Sequence, residues 1–372
     1  MKQMYENYDV QLAVRGPVFI GSGHEIQKKE YTFLPGRKIG ITDAIKLYML
    51  MKEKGLAEEF EEYLLSNSTE ELGSWCRRQR IESKEISSCV KYTLERGDLD
   101  FGKQVHIMEC IKDSYGRPYI PGSSLKGMFR TILLSNEIIS HSRYYSKERD
   151  ETAQYLYSHP REKGKKLLSK NAKNLEMKAF HTLDRPGTKW RDAVNDCMSG
   201  FIVSDSEPLT TDDLILCQKI DRHTNGREKK LNMVRECIKP GTVIHFSLTI
   251  ERDKCSFSAD VLRKTVEIFA KQYEDNFLKS YPGVEHLKKN TVFLGGGSGF
   301  VSKTIIYPLY GHREGVRVTQ KIFENTPFAK KHRQDVRLGV SPHVLKCTRY
   351  QGKYYQMGQC EISFDQKFPA HG

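Results

Sequence analysis

The chain has 372 residues, which at ~150 residues per domain predicts two domains with a sizeable buried core. Hydrophobic residues make up 38% and charged residues 29%, a globular composition that excludes an intrinsically disordered chain. Lysine and arginine total 60 against 47 for aspartate and glutamate, and the net charge of +13 suggests a polyanionic partner, although charge alone does not separate nucleic acid from simple solubility.

The sequence also argues against membrane and disulfide-stabilised proteins. No run approaches the ~20 apolar residues that span a bilayer, and the first residues, MKQMYENYDVQL, lack the apolar stretch of a secretory signal. The nine cysteines are scattered without a Cys-x-x-Cys pair, which argues against a disulfide framework and against a zinc finger. We therefore expect a cytoplasmic protein with reduced cysteines and no membrane contact.

The first predicted element is a half-buried strand. Apolar residues alternate with polar ones from Tyr8 to Val14, and the strand is followed by Gly-Ser-Gly-His at residues 21–24. Glycines at a strand end let the backbone turn sharply and bring its amides close to a ligand, so we expect an exposed loop here. The candidate ligand-binding residues of this loop are Gly21, Ser22, Gly23 and His24.

A helical insertion is predicted over residues 42–100. Thr42 or Asp43 is a suitable N-cap for an amphipathic helix, and Gly55 separates that helix from a second one. Residues 66–100 are charged and only weakly periodic, and we interpret them as helical as well.

Another helix is predicted directly after residue 122. Ser123 or Ser124 can cap it, and apolar residues then follow at helical spacing. Lys126 and Arg130, four residues apart, share a different face near the helix start. Two interpretations of these cations stay open: a solvated basic face, which is usual beside a packed one, or a pair of phosphate contacts.

The middle of the chain is predicted to hold a charged insertion and a hairpin. Residues 141–195 are polar, with a lysine cluster at 163–173, and we interpret them as a partly mobile insertion. Asn225-Gly226 between two apolar runs predicts a β-hairpin over residues 218–232. Its basic tip is either simply solvated or a nucleic-acid contact. The candidate contacts are Arg222, His223 and Arg227.

A second glycine-rich loop follows a predicted strand over residues 241–251, a helix over 258–278 and a short strand at 291–294. The loop residues are Gly295, Gly296, Gly297, Ser298 and Gly299, with Lys303 shortly after them. The sequence nearly fits a nucleotide-binding P-loop, but Ser302 replaces the second glycine of that pattern and its side chain obstructs the phosphate-binding curl. The other interpretations are a connecting turn and a backbone cradle for RNA phosphates with Lys303 as the charge partner.

Candidate catalytic residues are few. None of the 12 histidines stands at metal-ligand spacing from another histidine or a cysteine, and His332 and His343 show no helical pairing, so we expect neither a metal site nor a cofactor. His24 could act as a general base in RNA cleavage because imidazole titrates near neutral pH, although a lone histidine more often has no catalytic role. Asp184 is a candidate acid–base or metal-binding carboxylate, but an ion pair with Arg185 explains it better.

Three of these segments together resemble the RAMP superfamily of CRISPR proteins. They are Phe-Ile-Gly-Ser-Gly at residues 19–23, Ile-Pro-Gly-Ser-Ser-Leu-Lys-Gly at 120–127 with Arg130, and Phe-Leu-Gly-Gly-Gly-Ser-Gly-Phe at 293–300. Residues 219–224 also resemble the thumb hairpin of that superfamily. The late loop and the chain length are most similar to those of the family that forms the fifth subunit of the type III-A effector. This effector is the Csm complex.

The resemblance implies an α+β fold with a ferredoxin-like (RRM-like) antiparallel-sheet core, built as two fused units with helical insertions. We place the N-terminal unit at residues 1–255, with insertions at about 42–100 and 141–195 and the thumb at about 218–232. The C-terminal unit, at residues 256–372, carries the late glycine loop.

The resemblance further implies a non-catalytic, single-copy subunit that binds CRISPR RNA, caps the 3′-end side of a type III-A interference complex, and supports RNA 3′-end maturation and target RNA interference. The implied partners are CRISPR RNA, target RNA, the backbone RAMP subunit, the small helical subunit and host nucleases. A cap must stop head-to-tail propagation, and we assign that role to the insertion at residues 42–100. The predicted RNA-binding residues are Gly21, Ser22, Gly23, His24, Ser123, Ser124, Lys126, Arg130, Arg222, His223, Arg227, Gly295, Gly296, Gly297, Ser298, Gly299 and Lys303.

The alternative is a RAMP-type RNA-processing endonuclease that uses His24. In related backbone subunits an aspartate in a flexible loop cleaves target RNA with a divalent metal. Asp43 and Asp184 are candidates for that aspartate only by their loop positions, so we carry over no catalytic residue.

Overall fold

Two β-sheets flanked by helices make up the part of the chain described by this computed structural model, residues 4–99, 105–159, 168–327 and 329–367. The predicted α+β class is confirmed, with sheets of the kind expected for a ferredoxin-like RAMP fold. Over these ranges, no helix has both the length and the apolar character that a membrane span requires.

The first sheet has five antiparallel strands. They are β1 (Tyr5–Val14), β7 (Phe201–Val203), β10 (Val243–Glu251), β11 (Thr291–Phe293) and β14 (Gln359–Lys367). Their order is β11-β14-β1-β10-β7, which puts β1 in the centre. The predicted alternation is confirmed, because Leu12 in the middle of β1 is fully buried and pairs with Ile244 on one side and Ile362 on the other. Burial of alternate apolar residues therefore fixes the register of this sheet.

Helices cover the buried face of the first sheet. They are α5 (Gly122–Ser140), α8 (Ala259–Asn276) and α9 (Ile306–Glu324), followed by the short α10 (Asp335–Leu338). The predicted helix after residue 122 is confirmed, and its apolar stripe packs on the sheet. The Phe129 ring of α5 lies 5.2 Å from that of Phe201 and 5.9 Å from that of Phe364, measured between ring centroids.

The second sheet has nine strands. They are β2 (Gly21–Ile26), β3 (Tyr31–Leu34), β4 (Lys38–Thr42), β5 (Val90–Glu95), β6 (Ile107–Cys110), β8 (Leu214–His223), β9 (Glu228–Ile238), β12 (Val344–Tyr350) and β13 (Lys353–Gln356). The main order is β2-β6-β9-β8-β5-β4-β3, with β12 on β8 and β13 on β12. The pairs β5–β8 and β6–β9 are parallel, so this sheet is mixed. The predicted hairpin is confirmed as β8–β9, and Gly226 in its turn has a φ of 79°.

The first insertion is a small helical subdomain with its own core. Its helices are α1 (Ala44–Glu53), α2 (Ala57–Leu65), α3 (Leu72–Arg78) and α4 (Ser83–Ser88). Trp75 anchors this core, with ring centroids 5.4 Å from Phe60 and 5.0 Å from Tyr63. The prediction of helix up to residue 100 is wrong at Val90–Glu95, because this stretch pairs with β4 and buries Leu94.

The second insertion contributes two helices, α6 (Ser146–Ser158) and α7 (Ser169–Phe180). Lys163, Lys165 and Lys166 of the predicted lysine cluster lie outside the described residues. The predicted unit boundary at residues 255/256 stays a prediction. Strands from both sides of it pair in each sheet, since β14 pairs with β1, and β12 pairs with β8.

Candidate nucleic-acid interface

Three segments meet at one cavity of about 450 Å³: the chain after β1, the start of α5 and the late glycine loop. We call it the glycine cavity and define it by its lining residues Phe19, Ile20, Gly21, Ser124, Gly127, Met128, Thr131, Phe293, Leu294, Gly295, Gly296, Ser302 and Lys303. Five of the predicted RNA-binding residues are in this set, namely Gly21, Ser124, Gly295, Gly296 and Lys303. Segments almost 300 residues apart in sequence thus form one surface.

The two glycine segments touch through their backbones. The Gly296 N–H donates a hydrogen bond of 2.6 Å to the Phe19 carbonyl. Gly295 has a φ of +78°, and a Cβ on it would lie 2.3 Å from the same carbonyl oxygen. Any side chain at position 295 would therefore clash with Phe19, in a conformation that already favours glycine.

The remainder of the late loop is held by internal hydrogen bonds. The Ser298 hydroxyl donates to the Gly295 carbonyl at 3.1 Å, and the Ser302 hydroxyl donates to the Ser298 carbonyl at 3.1 Å; both serine side chains are buried. The late loop leads into a 3₁₀ helix at Val301–Lys303. The strand that precedes the loop, β11, pairs antiparallel with β14. A P-loop instead joins a strand directly to an α-helix that begins at its phosphate, so this loop does not support a nucleotide-binding site.

Arg235 is a buried cation beside the late loop that sequence reasoning missed. It lies on β9, is 8% exposed, and its guanidinium carbon lies 5.2 Å from the centroid of the Phe19 ring. Its Nη1 would be 2.9 Å from a Cβ placed on Gly297. Among the described residues, its Nε and Nη1 have no hydrogen-bond partner. Burial lowers the pKa of this guanidinium, because its charged form has lost hydration without gaining a carboxylate.

The neighbouring carboxylate does not neutralise Arg235. Glu236 is fully buried and accepts hydrogen bonds from Lys112 (2.6 Å), from the Tyr92 hydroxyl (2.6 Å) and from the Cys110 N–H (2.9 Å). Successive side chains of a strand point to opposite faces, so Glu236 is neutralised on one face while Arg235, on the other, forms no ion pair with any described residue. The signal in the sequence was an Arg-Glu pair within an otherwise apolar run of β9.

Lys303 adds a second cation to the cavity. Its side chain keeps solvent contact, yet partial desolvation and the nearby charge of Arg235 lower its pKa. Lys219 on β8 behaves in the same way, since burial and then the charge of Lys346 lower its pKa. Lys346 itself forms an ion pair of 2.7 Å with Asp221. The surroundings of the late loop therefore carry excess positive charge that an anion would stabilise.

The start of α5 is already capped by a carboxylate. Asp205 accepts a hydrogen bond of 2.7 Å from the Gly122 N–H. Ser123 is exposed, whereas Ser124 is half-buried at the cavity. Of the two predicted capping serines, neither makes a side-chain hydrogen bond to the helix end in the described structure.

Arg130 and Lys126 are not among the residues that line the glycine cavity, although Arg130 lines an adjoining cavity together with Lys303. Arg130 donates hydrogen bonds of 2.8 Å to both Glu176 and Asp196, and its guanidinium carbon lies 4.5 Å from the centroid of the Phe180 ring. These contacts brace α5 against α7, so the charge of Arg130 is used within the protein. Burial lowers the pKa of Lys126, and the Asp196 charge partly offsets that effect.

The segment Gly21–Ile26 is an exposed edge strand, and the prediction of a loop there is wrong. It pairs with β6 through a bulge, with Gly21 opposite Cys110. The Ser22 hydroxyl donates to Glu109 at 3.2 Å, and the Nδ1 of exposed His24 lies 3.3 Å from the same carboxylate. Ser22, Gly23 and His24 are not among the residues that line the glycine cavity.

The hairpin residues also lie outside the cavity lining. Arg222 donates a hydrogen bond of 2.9 Å to the Pro282 carbonyl. His223 is half-buried, with its pKa lowered by burial and by His343, and Arg227 is exposed at the turn. Outside the hairpin, the predicted N-cap role of Asp43 is confirmed at α1. The predicted ion pair between Asp184 and Arg185 is absent from the described structure, where Asp184 is exposed.

Comparison with known proteins identifies the family. The sequence matches the profile of the RAMP superfamily over residues 11–302. The CRISPR system Cms protein Csm5 of Mycobacterium tuberculosis (strain CDC 1551 / Oshkosh) is 30% identical over 395 residues, covering 98% of this chain and 99% of the relative. Csm5 of Streptococcus thermophilus is 30% identical over 316 residues, covering 82% of each protein.

Two solved structures share the fold at 19% identity. A chain in the cryo-EM structure of a Csm-crRNA-target RNA ternary complex of a type III-A CRISPR-Cas system matches with a TM-score of 0.63, over 96% of this chain and 100% of that one. The crystal structure of T. onnurineus Csm5 matches with a TM-score of 0.59, over 94% of this chain and 99% of that one. These structures show the fold, and the sequence matches show that the chain belongs to the RAMP superfamily of CRISPR proteins and, within it, to the Csm5 family.

Proposed function

We propose that this chain is a non-catalytic subunit of a type III-A CRISPR effector and that it holds CRISPR RNA at the glycine cavity, on the 3′-end side of the complex. Its relatives are Csm5 proteins, and a chain of the same fold occurs in a Csm-crRNA-target RNA complex. The observation that carries the RNA contact is Arg235, a buried guanidinium with unused donors beside the late glycine loop.

The proposed grip is independent of RNA sequence. Backbone amides of the late loop and the cations Arg235 and Lys303 contact phosphates, which carry no base information. A subunit that binds the variable part of a CRISPR RNA needs this property. We propose that Ser22, Gly23 and His24 on the exposed edge strand, and Arg227 at the hairpin tip, meet the RNA outside the cavity. Arg130 is left out, because two carboxylates already neutralise it.

Arg235→Met is expected to weaken RNA binding without destabilising the fold. Methionine replaces an unpaired buried charge with an apolar chain, so the free energy of unfolding should stay the same or rise. The slope of log affinity against log salt should decrease by about 1, as for the loss of one phosphate contact. The measurements are fluorescence anisotropy with single-stranded RNA at several salt concentrations, and urea unfolding.

The matched control for this experiment is Arg313→Met, which removes the same charge from an exposed position on α9. It should leave the salt slope near the wild-type value. An Arg235→Met protein that is less stable but keeps the wild-type salt slope would assign Arg235 a structural role and contradict the proposed contact.

We propose further that the subdomain α1–α4 makes this chain a cap. Its core is separate from the main core, and the Asp43 N–H donates to the Cys89 carbonyl at 2.8 Å, so the chain leaves and re-enters the second sheet at one point. A bulky group at the edge of a repeating assembly blocks the next copy. The neighbours in that assembly would be the backbone RAMP subunit and the small helical subunit.

Replacing residues 44–88 with a short Gly-Ser linker should therefore lengthen the reconstituted complex. Native mass spectrometry should then detect assemblies with more subunits than the wild-type complex contains. Circular dichroism controls for loss of the remaining fold. A deletion that folds and leaves subunit number and stoichiometry unchanged would show that α1–α4 does not limit assembly.

RNA cleavage by His24 is the second candidate function. It is favoured by Glu109, which lies 3.3 Å from the His24 Nδ1 and could orient the imidazole as a general base. Our proposal instead assigns RNA 3′-end maturation to recruited host nucleases. We therefore expect no cleavage of repeat RNA by the purified chain and no difference between wild type and His24→Ala on a sequencing gel. Cleavage that is lost in His24→Ala and retained in a His286→Ala control would establish the enzyme.

A further inference from the structure

A group of imidazole and carboxylate side chains lies at the junction between the C-terminal segment and the end of β8. His332 follows a 3₁₀ helix at Ala329–Lys331, Asp335 begins α10, and His343 directly precedes β12. One ligand atom from each of the three lies within 4.8 Å of the other two. The spacing of these residues in sequence follows no metal-binding pattern, and only the fold brings them together.

Asp335 is the centre of the group. Its carboxylate is fully buried and accepts hydrogen bonds from the Nδ1 of His332 (2.9 Å), the Nδ1 of His343 (2.5 Å) and the hydroxyl of Ser341 (2.6 Å). Among the described residues, no lysine or arginine forms an ion pair with it. A buried carboxylate requires compensating positive charge, and a neutral imidazole offers only a dipole.

The nearby cations are directed elsewhere. Lys346 forms its ion pair with Asp221, and Arg222 donates to the Pro282 carbonyl. Compensation for Asp335 must therefore come from a charged imidazole or from a bound cation.

The surrounding residues hold the three side chains in place. The Phe323 ring stacks on His332, with centroids 4.1 Å apart and planes at 16°. The Tyr307 hydroxyl donates to the Ser341 carbonyl at 2.7 Å, and the Tyr281 hydroxyl donates to the Pro342 carbonyl at 2.9 Å. Both tyrosines are buried, so their hydrogen bonds hold the segment that joins Asp335 to His343 in place. Metal sites depend on such outer contacts to orient their ligands.

We propose that His332, Asp335 and His343 bind one zinc ion through the Nδ1 atoms of the two imidazoles and one carboxylate oxygen, so that zinc replaces the Nδ1 protons that otherwise hydrogen-bond to Asp335. This set of ligands suits zinc, whereas magnesium and calcium prefer oxygen alone. His223 at the end of β8 is outside this group, although its ring centroid lies 5.3 Å from that of His343. Three protein ligands leave the fourth position of a tetrahedral zinc to water.

The proposed ion joins residues 332–343 at one point. β12 begins at the next residue and pairs with the end of β8 in the thumb hairpin. β12, which begins beside the ion, carries Lys346, whose side chain would contact a Cβ placed on Gly299 of the late loop at 3.7 Å. Zinc would thus fix the start of β12, which lies between the hairpin and the late loop.

The test is the metal content of the full chain, purified without a polyhistidine tag. After equilibration with zinc and removal of unbound metal, inductively coupled plasma mass spectrometry should find one zinc per chain. His332→Gln and His343→Gln should each lose this zinc. The control His286→Gln, which changes an exposed histidine paired with Glu274, should retain it.

Thermal unfolding provides a second measurement that does not need the variants to fold. A chelator should lower the melting temperature of the wild-type chain, and added zinc should restore it, because an ion bound only to the folded state stabilises that state. When cobalt replaces zinc in the wild-type chain, the protein should show the visible absorption of tetrahedral Co²⁺ with nitrogen and oxygen ligands. Wild-type protein without stoichiometric zinc or cobalt, or two folded variants that bind as much zinc as the control, would overturn the proposal in favour of a hydrogen-bonded group with a charged imidazole.

Discussion

The backbone hydrogen bond from Gly296 to the Phe19 carbonyl is the contact on which the proposed site depends. It joins the segment after the first strand to the loop after β11, and it requires glycine at position 295 because a Cβ there would overlap the same carbonyl. The contact also fixes Phe19, whose ring lies against the guanidinium of Arg235. The glycine cavity, its backbone amides and its buried cation thus follow from one close approach.

That arrangement leaves the folded protein with an unsatisfied charge. Arg235 lies in the buried half of β9, and the adjacent carboxylate, Glu236, is neutralised on the opposite face by Lys112. A buried charge without a partner destabilises a fold, so its presence is better explained by a ligand than by stability. Phosphate oxygens are suitable acceptors for the free guanidinium donors, since arginine binds them with charge-assisted hydrogen bonds.

Local sequence patterns predicted the elements whose conformation is decided by residues close together in sequence. Alternation gave β1 and β10, helical spacing gave α5, and Asn225-Gly226 gave the hairpin. The same patterns failed at Gly21–Ile26 and at Val90–Glu95, because pairing with a distant strand decides those conformations. The resemblance of three short segments to RAMP proteins predicted the fold class, which periodicity could not.

Only part of the site was predicted, because the rest of it also depends on contacts between residues that are distant in sequence. Glycines and Lys303 are visible as motifs, and the structure places several of them together. The double ion pair of Arg130, the unpaired Arg235 and the contacts of Asp335 with two histidines all depend on tertiary neighbours far away in sequence. Residue type alone could not distinguish the structural ion pairs of Arg130 from the proposed RNA contact of Arg235 or the proposed metal ligand Asp335.

The most direct test of the proposed RNA site is photo-crosslinking of the reconstituted effector carrying CRISPR RNA with 4-thiouridine near its 3′ end, followed by mass spectrometry of the linked peptides. If the glycine cavity holds the RNA, the crosslinked peptides will come from residues 19–24 and 294–303. Crosslinks confined to the helices α6 and α7 or to the turn of the β8–β9 hairpin, with none near the late loop, would contradict it.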